Sequence, residues 1–97
     1  MPDSLLLRVA TTWQVPGLGL LALPAGPTPH LEAYALHTAL VVEAALPGGA
    51  RHSAAATVEE VSRPDAPSVL IRGLLLDFGT ALVLPPGTEI WLVPDDN

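Results

Sequence analysis

The side chains in this sequence that could hold a metal ion are three histidines and one glutamate. They are His30, Glu32, His37 and His52. On an extended segment His30 and Glu32 would point the same way, and His37 could approach them across a turn. A zinc site needs several converging ligands with hydrogen-bonded supports, and the chain has no cysteine to add to this set. We therefore expect surface or edge histidines, with no metal and no bound cofactor.

Two adjacent pairs of residues are the next candidates for chemistry. Ser53 follows His52, and Glu60 follows Glu59. Neighbouring residues of a strand point to opposite faces, so neither pair would converge on one reacting atom. A bulge at Glu59 and Glu60 would turn both carboxylates outward, where they would form a solvated acidic rim. The sequence thus predicts no catalytic residue and no enzyme.

Nucleotide-binding motifs are also absent from the sequence. No Walker A pattern occurs, so the chain carries no nucleotide-hydrolysis machinery. The stretch Gly17-Leu18-Gly19 is too short for a dinucleotide fingerprint, and no helical pattern follows it. A tight turn between two strands explains these glycines, because such turns need positive φ.

The two tryptophans are the most distinctive single residues. Trp91 has the opposite strand parity to Ile90 and Leu92, so it would lie partly exposed. An exposed tryptophan flanked by acids could anchor a protein interface. Alternatively, it covers a barrel end or a second core layer, because tryptophan is seldom left in water. The candidate interface residues are Trp13, Glu59, Glu60 and Trp91.

Composition limits the class of protein and of partner. A chain of 97 residues fits one domain, and 49% apolar against 14% charged residues argues against disorder. There are four arginines, no lysine and ten acids, so the net charge is −6 with neutral histidines. Nucleic-acid binding needs a clustered basic face, which this balance does not supply. An acidic surface instead keeps an apolar domain soluble or attracts a basic protein.

Location is indicated by what the sequence lacks. It has no cysteine, no signal-peptide pattern at its start, and no run approaching the ~20 apolar residues of a membrane helix. We expect a cytoplasmic protein that makes no membrane contact.

Eleven prolines and eight glycines divide the chain into short pieces, which favours strands over long helices. Alternation and apolar runs predict strands at residues 5–13, 18–23, 38–46, 51–63, 69–76, 81–84 and 88–93. Residues 30–36 form either one helical turn or an extended connection. Residues 1–4 and 94–97 are expected to be flexible tails. The sequence therefore predicts an all-β fold, a single small six- or seven-stranded antiparallel β-barrel over residues 1–97, closed to remove its edges.

The fourth predicted strand contains an irregularity. Ala54, Ala56 and Val58 share one face, whereas Val61 has the opposite parity. One extra residue near Glu59 would return Val61 to the core, so we expect a β-bulge or a bend there. The alternative is that the strand leaves the sheet at this point.

Several short motifs resemble the second domain of elongation factor Tu and related translational GTPases. They are Trp13-Gln14-Val15-Pro16-Gly17-Leu18-Gly19-Leu20 with Gly26, Val58-Glu59-Glu60-Val61-Ser62-Arg63, Gly73-Leu74-Leu75-Leu76, and Leu84-Pro85-Pro86-Gly87-Thr88-Glu89-Ile90. The resemblance spans residues 7–93 and implies a barrel that serves as an adaptor beside a GTPase domain and contacts RNA. Leu18 stands where that family has an arginine, so we expect no RNA contact here.

These observations favour a non-enzymatic binding or adaptor module that contacts a protein partner or a second copy of itself. A more specific form is an acidic inhibitor of a basic toxin, of the immunity-protein type. The competing hypothesis is a small-molecule or metal-binding barrel, which would require a pocket that gathers His30, Glu32 and the other histidines.

Overall fold

The computed structural model describes residues 5–26, 28–63, 66–79 and 82–93. These residues form six strands and one short helix: β1 (Leu5–Val15), β2 (Gly19–Pro24), α1 (Pro29–Glu32), β3 (Ala39–Ala45), β4 (Arg51–Arg63), β5 (Ala66–Asp77) and β6 (Glu89–Leu92). The strands close into a barrel in the order β1-β2-β5-β4-β3-β6, and every neighbouring pair is antiparallel. The predicted all-β antiparallel barrel is confirmed, with six strands in this part of the chain. The two predicted tails lie outside the described residues.

The additional strand predicted at residues 81–84 does not form over the part that is described. Ala81 lies outside the described residues, and residues 82–84 have no strand pairing. Leu84 is nonetheless 3% exposed and belongs to the core, whereas Val83 is 81% exposed. The alternation in this segment therefore belongs to a connection that is not a strand, in which Leu84 packs into the core and Val83 points to solvent.

The prediction of a bulge near Glu59 and Glu60 is wrong. The β4–β5 register continues without a break from Ala55 to Ser62, and Val61 lies opposite Ile71. Val61 therefore finds an apolar neighbour on the outside of the sheet and needs no shift in register to be covered. The only irregularity in this pairing falls between Ser62 and Arg63.

The bulges that shape the barrel lie in β1. The register shifts between Leu5 and Leu7 against β6, and between Val9 and Thr11 against β2. Each shift inserts one extra residue into β1, so its side chains do not alternate regularly between the two faces of the sheet. As a result Leu6, Leu7 and Val9 are all buried, while the Thr11 side of the strand faces outward.

The barrel interior is filled by aliphatic side chains. Most of its alanines come from β3 and β4 and most of its leucines from β1, β2 and β5, and such a mixture of small and large side chains lets a narrow barrel close. The core consists of Leu6, Leu7, Val9, Leu20, Ala22, Leu31, Val42, Ala44, Ala54, Ala56, Val58, Leu74, Leu76, Leu84 and Ile90. Of the two alternatives for residues 30–36, the structure shows the helical turn, and Leu31 in this turn is fully buried.

The β4–β5 hairpin extends beyond the rest of the barrel. β3 ends its pairing with β4 at Ala39 opposite Thr57, and β2 ends its pairing with β5 at Ala22 opposite Leu74. Beyond these points the two strands pair only with each other among the described residues. This protruding ribbon begins immediately beside the helical turn.

Candidate protein-contact surface

The four possible metal ligands are not gathered in one place. His30 and Glu32 lie on α1, and the His52 ring packs edge-on against Phe78 at 6.4 Å between centroids. His37 instead faces Glu59. Among the described residues no group of three or more histidine, aspartate or glutamate side chains is arranged to hold a metal ion.

Glu59 lies on the outer face of β4 within a small polar cluster. Its Oε2 accepts a hydrogen bond from Thr57 Oγ1 at 2.8 Å, and the carboxylate lies 3.3 Å from His37 Nδ1. The His37 backbone has a left-handed φ of 68° and its N–H donates to the Val58 carbonyl at 2.7 Å. Glu59 therefore helps to fix the connection that leads into β3.

Glu60 points to the opposite side of the ribbon from Glu59. Its Oε2 lies 3.2 Å from Arg72 Nε, and Arg72 also donates from Nη1 to the Tyr34 carbonyl at 2.8 Å. The two glutamates thus do not form an acid–base couple. Each one is engaged in a separate polar contact.

Trp91 is half-buried on the outer face of β6. Its Nε1 donates to Glu89 Oε1 at 3.2 Å, and it lies opposite Glu43 on β3 and Leu5 on β1. Glu89 also accepts from Arg8 Nη2 at 2.7 Å. This hydrogen bond to the arginine, more than the one from Trp91, lowers the pKa of Glu89 below its usual range. The polar edge of the Trp91 ring is therefore already satisfied within the chain.

Trp13 lies in a different environment, on the outside of β1. It is 52% exposed and lies opposite Leu21 of β2, which lies opposite Leu75 of β5. Leu21 and its neighbour Leu23 are only 8% and 7% exposed, yet neither belongs to the barrel core. They are covered by other side chains on the outer surface of the sheet.

A glycine explains how Leu23 becomes covered. A Cβ atom built on Gly73 would lie 2.8 Å from Leu23 Cδ2, so the leucine occupies the space that a side chain at this position would take. Further along the ribbon Val61 lies opposite Ile71, and both are half-buried. We call this set the outer apolar face: Trp13, Leu21, Leu23, Val61, Ile71 and Leu75.

Sequence reasoning identified Trp13 of this face and missed the rest. The available signal was the unbroken apolar run of residues 18–23, which is typical of a strand covered on both sides. The sequence does not show which strands lie beside that run. Only the order β1-β2-β5-β4 brings the apolar outer residues of four strands together.

The arginine side chains are paired with glutamates wherever the structure describes them. Arg8 contacts Glu89 at 2.7 Å, Arg51 contacts Glu43 at 2.6 Å, and Arg72 contacts Glu60. The side chain of the fourth arginine, Arg63, lies outside this description. Each described arginine would therefore have to break its ion pair with a glutamate before it could bind a phosphate.

No helix in the described residues is long and apolar enough to cross a bilayer. Comparison with protein-family models, with curated proteins and with solved structures finds no match for this chain.

Proposed function

We propose that this chain is a non-enzymatic binding module that contacts a partner protein through its outer apolar face. The observation that carries the proposal is that Leu21 and Leu23 are buried outside the barrel core, with half-exposed Trp13 opposite Leu21. Contiguous apolar surface on the outside of a small domain marks an interaction site. Tryptophan is enriched among the residues that dominate binding energy.

The barrel interior gives less support to the small-molecule alternative. Its aliphatic side chains pack into one continuous cluster, and the buried threonine Thr88 uses its hydroxyl on the Pro85 carbonyl at 2.7 Å. A ligand site normally combines an apolar cavity with a few convergent polar groups. The described interior offers no such combination, so the outer surface is the better candidate.

Charge favours a basic partner. The described arginines are paired with glutamates, while the whole chain carries a net charge of −6. Complementary charge speeds encounter and selects among partners without being the main source of affinity. This agrees with an adaptor role, which the translation-factor resemblance also implies, and with an acidic inhibitor of a basic protein. The proposal places the module in the cytoplasm.

Capture of partners from native lysate tests this proposal. We expect wild-type protein to retain a partner that Trp13→Ala binds at least about tenfold more weakly, the loss produced by about 1.4 kcal/mol. Val41→Ala is the matched control, because Val41 is 56% exposed on a strand outside the outer apolar face. This control should bind like the wild type.

Sedimentation of the three proteins completes the test. A wild-type chain that is monomeric and captures nothing whose binding depends on Trp13 would overturn the proposal. Equal loss in Trp13→Ala and Val41→Ala would also contradict it, because the outer apolar face would then have no special role.

A further inference from the structure

One edge of the protruding ribbon has main-chain groups that no described strand uses. Val58 directs both its N–H and its C=O away from β5, to Thr38 and His37. In an antiparallel pair its partner Leu74 must then direct its own groups toward β2. The main-chain N–H and C=O groups of alternate residues in a strand point to the same side, so those of Arg72 and Leu70 also point to this edge of β5. The β2–β5 pairing has already ended there, at Ala22 opposite Leu74.

This free edge of β5 borders a cleft of about 200 Å³. One wall is formed by Leu70, Ile71 and Arg72, and the other by the last residue of β2 and the chain that follows it. That second wall is Pro24, Ala25 and Gly26, with Thr28 and Glu32 beyond it. Ala25 and Gly26 in this wall are exposed, and nothing lies within 4 Å of a Cβ built on Gly26, so the cleft beside β5 is open on that side.

We propose that an extended segment of the partner protein binds in this cleft by adding a strand to β5. The inference rests on the proposed function and names the element of the partner that is recognised. The N–H and C=O groups of Leu70 and Arg72 hydrogen-bond to the added strand. Strand addition to an exposed sheet edge gives affinity through the main chain and specificity through alternate side chains.

The two faces of the added strand meet different surfaces. Side chains next to Ile71 point outward and continue the outer apolar face, since Ile71 belongs to both surfaces. Side chains next to Arg72 point toward Thr28 and Glu32. Arg72 is already paired with Glu60, whereas Glu32 has no ion pair among the described residues. The segment that fits therefore alternates apolar and basic residues.

A synthetic peptide of about eight residues that alternates valine and arginine is the probe, a length typical of one strand. The control peptide has the same composition with all valines before all arginines. Binding is measured by calorimetry, and amide hydrogen exchange is followed by NMR. We expect the alternating peptide alone to bind and to slow exchange at Leu70 and Arg72.

Proline variants separate the two edges of the ribbon. Leu70→Pro removes an N–H that the β4 ladder does not use, so the fold should survive while peptide affinity falls about tenfold or more. Ser62→Pro is the matched control on the other free edge and should bind like the wild type. Leu70→Ala keeps the N–H and should also bind nearly normally.

Three results would overturn the inference. In the first, the peptide binds but amide exchange at Leu70 and Arg72 does not change. In the second, both peptides bind equally well or neither binds. In the third, the Leu70→Pro variant folds and binds the peptide as tightly as the wild type does. Exchange already slowed in the free wild type, together with a concentration-dependent mass, would instead assign the cleft to a second copy. A partner whose capture depends on Trp13 and is unaffected by Leu70→Pro would leave the proposed function standing alone.

Discussion

Gly73 shows how one residue shapes the candidate surface. It lies in β5 opposite Glu59 and is buried, with no positive φ to explain the choice of glycine. The reason is space, because an added Cβ would lie 2.7 Å from the Ala22 carbonyl oxygen and 2.8 Å from Leu23 Cδ2. Glycine here lets β2 approach β5 closely and lets Leu23 lie flat on the sheet.

Replacing Gly73 with alanine should destabilise the protein by about 1–3 kcal/mol, the usual cost of overpacking. The leucine side chain can rotate away, but the Ala22 carbonyl belongs to the backbone and yields less easily. Urea unfolding measures the change. Gly48→Ala is the matched control, since nothing lies within 4 Å of a Cβ there. Equal stability of Gly73→Ala and wild type would show that β2 and β5 are not held this closely.

For Glu59 and Glu60, the sequence predicted the directions of the side chains correctly and the path of the backbone wrongly. Strand alternation placed their side chains on opposite faces, and the structure agrees. The predicted bulge, however, assumed that Val61 must reach the core. The sequence could not reveal that Ile71 lies opposite Val61 on the outer surface, because that partner is ten residues away along the chain.

At the scale of elements, the helical turn α1 closes one end of the barrel. It has only four residues, too few to be stable alone, so packing must hold it in place. Leu31 supplies that packing, with 0% exposure within the barrel core. The neighbouring Glu32 and Thr28 then line the cleft beside β5.

Leu31→Ala should therefore cost about 2–5 kcal/mol, as large-to-small core substitutions do. His30→Ala on the same turn is exposed and should change stability by no more than about 0.5 kcal/mol. Denaturant unfolding of both variants checks this expectation. A Leu31→Ala protein as stable as His30→Ala would mean that the turn does not close the core.

The bulges in β1 determine which of its residues lie on the outer surface of the barrel. Without an extra residue between Val9 and Thr11, Trp13 would have the parity of Val9 and point into the barrel. The shift leaves Val9 buried and places Trp13 next to Leu21 on the outer surface. A bulge has no single residue signature, so alternation along the sequence alone would place these two residues on one face.

At the scale of the whole molecule, charge and pairing together disfavour binding to nucleic acid. The chain has a net charge of −6, and the described arginines are each held by a glutamate. Releasing counterions from phosphates requires cations that are clustered and available. The RNA contact expected of a translation-factor-like barrel would need such cations, and the described residues do not offer them.

We expect no measurable binding of a fluorescently labelled single-stranded RNA at about 0.15 M salt, by fluorescence anisotropy. Lowering the salt should not produce tight binding either, because acids outnumber arginines ten to four and the chain has no lysine. A steep, salt-dependent affinity would contradict this expectation and would favour the role implied by the resemblance.

The sequence by itself determined the class of fold and most strand positions. Prolines and glycines break the chain into short segments, and alternation within these segments is a local property that survives without tertiary information. The hairpin of β3 and β4 follows in the same way, from the Pro47-Gly48-Gly49 turn between two alternating segments.

Only the tertiary structure decided which strands lie side by side, and hence where the candidate surface is. The outer apolar face combines four strands that are neighbours through the closed order β1-β2-β5-β4, and its contact between β2 and β5 joins Leu21 to Leu75, far apart along the chain. The cleft beside β5 exists because β2 turns away after Ala22 while β5 continues with β4. Such contacts depend on chain closure and register, which no local pattern encodes.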